Sequence, residues 1–109
     1  MKKQKSKKAI DVPTVFSDRS DERVGTVCIS TAGHDKGDRL VIIAGIDRDH
    51  VYVADGKARK LIAPKKKKMR HLSMITRFSE QDVKALREGV WNDSTLRRKI
   101  SQIELEKLT

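Results

Sequence analysis

A chain of 109 residues leaves room for one small domain, and 37% apolar against 37% charged residues fits a modest core with solvated extensions. The net charge of +10 and pI near 10.0 argue against basic partners and for a polyanion. A single cysteine, Cys28, excludes an intrachain disulfide and is expected to be a buried, reduced thiol, as in a cytoplasmic protein.

The bases are concentrated in two tracts. Lys2, Lys3, Lys5, Lys7 and Lys8 form one, and Lys57, Arg59, Lys60, Lys65, Lys66, Lys67, Lys68 and Arg70 form the other; neither contains an acid. Together they exceed the whole positive excess, so the remainder is slightly acidic. Residues 1–22 have no sustained period and read as a disordered basic extension, with Phe16 the candidate for local docking. No apolar segment of signal-peptide or membrane-spanning length is present.

From residue 23 the pattern becomes that of short strands. "RVGTVCIS", the nearly all-apolar "RLVIIAGI" and "HVYVA" read as three successive strands. Glycines at 33 and 37 punctuate the first connection and Asp55-Gly56 marks a hairpin turn. "RKLIA", stopped by Pro64, is expected to be a fourth strand and "MRHLSMI" a fifth, which together imply a small antiparallel barrel. Pro64 also forces Ala63 to be extended, so the lysines after it are expected to project to different sides of a stretched backbone and reach phosphates. Engagement of about four to six phosphates would give a log–log salt slope of roughly −3 to −5. The competing reading is a solvated linker.

Residues 73–109 change period. Ser79 with Asp82 reads as a helix start, followed by Val83, Leu86 and Val90 at helical spacing. Gly89 breaks the run, and a second helix from Asp93 or Ser94 carries Leu96, Ile100 and Ile103 on one face. This part is balanced in charge, as befits a helical pair with a solvated face.

The series "RVGTVCISTAGHDKGDRLVIIAGI" resembles the KOW motif, a glycine-marked β unit of RNA-associated proteins. Gly33, Lys36 and Gly37 fall on its turn, while Leu40 stands where many members have another glycine. With the continuation "VYVADGKARKLIAPKKKKMRHL", residues 23–72 are similar to the branch containing the large-subunit ribosomal protein fourteen-e and its bacterial KOW-domain relatives. The resemblance implies a mainly β fold with an α tail: a Src-homology-3-like barrel that binds structured, ribosomal RNA. Its expected contacts are the second basic tract, the N-terminal lysines and Lys36 at the turn.

Catalysis has little support. His34, His50 and His71 lack metal-ligand spacing, no phosphate-binding glycine loop is present, and no cofactor is expected. Four aromatic residues are too few for a stacking platform, which favours recognition of folded RNA by shape and phosphate. Trp91 reads as a packing anchor. The alternative function is a protein-interaction module of the transcription-elongation type, using the barrel and the apolar face of the last helix.

Overall fold

The computed structural model describes the backbone of residues 18–108 and side chains through residue 103. Five strands, β1 (Thr26–Ser30), β2 (Arg39–Gly45), β3 (His50–Ala54), β4 (Lys65–Lys68) and β5 (Leu72–Arg77), are followed by α1 (Glu80–Arg87) and α2 (Asp93–Leu108). The strands form one antiparallel sheet in the order β4-β3-β2-β1-β5. The first three strands and both helices lie where the apolar patterns place them.

The fourth strand does not. "RKLIA" is a loop, and the lysine run itself is the strand. The reason is local. The Asp55 carboxylate accepts from the backbone N–H of Lys57 (2.8 Å) and Arg59 (2.9 Å), while the N–H groups of Asp55 and Gly56 donate to Arg59 O. Leu61 N–H donates to Asp93 Oδ1 at 2.8 Å, and Pro64 has no N–H to offer a ladder. Bonds made within the turn and to α2 thus replace strand pairing until Lys65, which registers with Val53.

The sheet is strongly curled. Its edge strands β4 and β5 are consecutive in the chain, joined only by a 3-10 turn at Met69–His71. Four interstrand spacings in a flat sheet would separate them by about 19 Å, whereas four residues wound at about 2 Å each cover far less. Met69 N–H donates to Asp49 O and Thr31 N–H to His71 O, pinning the turn across the sheet's end.

Each face has its own core. Cys28, Leu40, Ile42, Val51, Val53 and Leu72 are buried together inside the curl, with Met69 against them. Burial pushes the Cys28 thiol up to about 11. On the outer face Val24, Val27, Val41 and Ala54 pack with Phe78 and with Val83, Leu86, Leu96, Ile100 and Ile103 of the helices. The Leu96–Ile100–Ile103 face expected to be available to a partner is therefore spent on the protein's own sheet, each such side chain contributing about 1.5–3 kcal/mol by leaving water. Ser79 Oγ caps α1 by accepting from Asp82 N–H, and Asn92 Oδ1 caps α2 by accepting from Thr95 N–H. Trp91, between the helices, meets Phe78 edge-on with ring centroids 5.3 Å apart.

The N-terminal boundary also moves. Residues 18–22 belong to the folded unit: Asp18 bridges to Gly45, and the Asp21 carboxylate pairs with Arg23 at 2.7 Å. Phe16 and the lysines at 2–8 lie outside the described residues.

Gly25 sits where α1 presses on the sheet. Its φ is +91°, and an added Cβ would stand 2.5 Å from Val83 Cγ2; Gly37, with φ +92°, has open space around it. Gly37→Ala should cost only the left-handed backbone penalty, about 1–2 kcal/mol. Gly25→Ala should cost a further 1–3 kcal/mol or so, because a core methyl must move. Urea unfolding followed by Trp91 emission measures the difference; equal losses would refute the close approach of α1.

Candidate nucleic-acid interface

Strand register divides the lysine run into two pairs. Lys65 and Lys67 register with Val53 and Val51, whose side chains point into the inner core, and Lys66 and Lys68 register with Tyr52 and His50. Lys67 is only 6% exposed. Its Nζ lies 2.7 Å from Asp35 Oδ1 and 2.8 Å from Ala32 O, while Lys65 Nζ reaches Asp35 Oδ2 at 3.1 Å. Ser30 Oγ donates to the same carboxylate at 2.7 Å.

Asp35 is thus a buried acid held by two ammonium groups and a hydroxyl. Burial opposes its ionisation, but the hydrogen bonds from Lys67, Ser30 and Lys65 and the charge of Lys67 outweigh that. Together they hold the carboxyl well below the usual carboxylate range. Gly33 and Gly37, both at positive φ, shape the loop that carries Asp35 over β4. Successive lysines do project to different sides of the extended backbone, but one side meets the protein's own acid. Lys67 is a structural ion-pair partner, and Lys65 is half-buried against the same acid.

Lys66, Lys68 and Arg70 are exposed and form no ion pair among the described residues. Lys68 and Arg70, with Asp49 and His50, line an open notch of about 350 Å³ at the end of β3 and β4. His50 is oriented by Asp47, whose Oδ1 is 2.9 Å from its Nδ1. The pKa of nearby His71 is lowered by desolvation and by the positive charges of Arg70, Lys68 and Lys67. Lys57 and Lys60 are exposed on the β3–β4 connection, whereas Arg59 is half-buried and its backbone closes the Asp55 turn. Lys36 is exposed beside Asp35 on the β1–β2 loop. Lys2, Lys3, Lys5, Lys7 and Lys8 fall outside the described residues.

Two participants were not anticipated from the sequence. Sequence alone assigns Asp35 no role and His50 only a place among three histidines without metal-ligand spacing. Alternation along "KKKK" is legible, but not that one side of it is buried against a carboxylate from another loop. The remaining aromatic residues offer no platform: Phe78 is buried, Tyr52 and Trp91 are half-buried, and the Lys99 ammonium sits 5.8 Å from the Trp91 ring centroid. Among the described residues no group of three His, Cys, Asp or Glu could hold a metal ion, and no helix is long and apolar enough to cross a membrane. Compared with protein-family models and with curated proteins, the chain has no match in either.

Asp35→Asn leaves the buried Lys67 without its counter-charge and should destabilise the protein by about 3–5 kcal/mol. Because the folded pKa is depressed, the contribution of Asp35 is complete above about pH 4, where the unfolded carboxyl is ionised, and is lost as pH falls below it. The stability gap between wild type and variant should therefore narrow in acid. Asp18, Asp21 and Asp47 have lowered pKa values in both proteins, so their contributions cancel in the comparison. A gap independent of pH from 7 to 2, measured by denaturant unfolding, would show that Asp35 is not the titrating partner.

Proposed function

We propose that the protein is a non-enzymatic, cytoplasmic RNA-binding protein of KOW type, gripping the phosphates of structured RNA with the outward bases of the β4 edge. Its setting is the large ribosomal subunit, as a component or an associated factor. The observation that carries this reading is the exposed triad Lys66, Lys68 and Arg70, which forms no ion pair among the described residues and is set on a strand edge and its adjoining turn. Lysine donates as a point charge and reads no base, whereas Arg70 can grip a phosphate with two parallel N–H groups.

Support for the KOW fold comes from the curl of the sheet, the separate core inside it and the Gly33–Lys36–Gly37 turn. These features suit a small, partly open barrel of the Src-homology-3 kind. Lys36, Lys57 and Lys60 extend the cationic surface, and the N-terminal lysines add a second grip. A second reading has its own observation: β4 is a sheet edge, and lysines on an edge blunt strand-to-strand aggregation without any ligand.

A salt titration separates the two. Fragments of large-subunit ribosomal RNA should bind the wild type with a steep salt dependence. The triple variant Lys66→Gln, Lys68→Gln, Arg70→Gln should flatten the log–log slope by about 2–3. Lys67→Met, which removes an internal ammonium, should leave the slope unchanged. Equal binding by the triple variant, or no binding of wild type even at about 50 mM salt, removes the proposal in favour of edge protection.

A further inference from the structure

A second surface lies on the outer face, away from the lysine notch. Ile43, Tyr52, Leu61, Ile62, Pro64 and Trp91 line a cleft of about 290 Å³ between the β3–β4 connection and the junction of the two helices. Ile62 is 88% exposed at this cleft, and Val90, between the cleft residues Gly89 and Trp91, is 70% exposed. A single exposed aliphatic residue is ordinary, but two flanking a concave apolar surface are a docking signal.

Charge around the cleft selects the occupant. Arg19 lines it, with one guanidinium nitrogen 3.4 Å from Arg87 O. Lys66 stands opposite Tyr52 across the strand pair, and exposed Lys60 precedes Leu61. Asp18 adjoins Arg19 and Glu88 adjoins Gly89 in sequence, but the charged side chain among the residues lining the cleft is the basic Arg19. An RNA base is the poorer fit. The lining is mostly aliphatic, the Trp91 edge is occupied by Phe78, and Lys99 lies over its ring.

We propose that this cleft captures a short segment of a partner protein that carries bulky apolar side chains flanked by carboxylates. The apolar side chains fill the space under Ile62 and Trp91, and the carboxylates meet Arg19, Lys60 and Lys66. The volume suits a few side chains, so the bound element is a short linear segment. This surface stands whether or not the β4 edge holds RNA.

The test is selection from a random-peptide phage library on the immobilised full chain. Enriched peptides are then titrated against the emission of Trp91, the only tryptophan. Expected are sequences combining Leu, Phe or Trp with Asp or Glu that shift Trp91 emission. They should bind Ile62→Ser about tenfold or more weakly, bind Arg19→Glu more weakly, and lose affinity with salt. RNA binding by Ile62→Ser should equal that of wild type. The proposal is overturned if no sequence is enriched, if the enriched peptides are basic, or if they bind Ile62→Ser as well as wild type. It is overturned equally if Ile62→Ser weakens RNA binding, which assigns the cleft to nucleic acid. Abolition of a concentration-dependent self-association by the same variant assigns it to a second copy of the chain and also overturns the proposal.

Discussion

A buried ammonium has to be paired, and that requirement organises this molecule. Strand geometry turns every second residue of β4 inward, which places Lys67 under the curl of the sheet with almost no solvent. Left alone there it would turn back toward solvent or unfold the edge. Asp35 prevents both, and because Asp35 lies on the β1–β2 loop, satisfying it draws that loop over β4. One ion pair therefore ties the first strand connection to the edge strand β4. In the observed register Lys65 and Lys67 are the pair turned toward that carboxylate, and Lys66 and Lys68 are the pair that faces solvent.

This division changes what the net charge means. A formal +10 counts Lys65 and Lys67 as though they were available, yet both ammonium groups already have a carboxylate. The potential that a ligand meets therefore comes from fewer groups in a smaller area. Both faces of the sheet carry packed cores. The helices cover much of the outer sheet face and the curl encloses the inner one, so the β4 edge is left as the open, cationic margin.

The sequence disclosed this arrangement unevenly, for physical reasons. "RLVIIAGI" and "HVYVA" are legible because burial on a sheet demands apolar residues over a short length. The first helix start is legible because Ser79 satisfies a free N–H group. The second is placed at Asp93 or Ser94 by its polar residues, although the side chain that caps it is Asn92. Four identical lysines carry no period at all, so nothing in the letters distinguishes the inward pair from the outward one. "RKLIA" has the composition of a strand, but Asp55 claims the backbone donors of the preceding turn and Asp93, from a distant helix, claims that of Leu61. The apolar stripe Leu96, Ile100 and Ile103 is evident; that it meets the sheet and not a partner depends on how α1 and α2 are placed against it.

The two outward surfaces meet on a single pair of strands. His50 opposite Lys68 forms the floor of the notch, and Tyr52 opposite Lys66 forms an edge of the apolar cleft. Two residues along a strand span only about 7 Å, less than a Debye length at physiological salt. Lys66 therefore belongs electrostatically to both. A carboxylate seated beside Tyr52 neutralises charge that a phosphate near Lys68 would otherwise use, and a phosphate there does the same to the carboxylate. If both surfaces are occupied as proposed, their occupants would for that reason be antagonistic even where their contacts do not overlap, and reciprocally so, since the linkage is an equilibrium one.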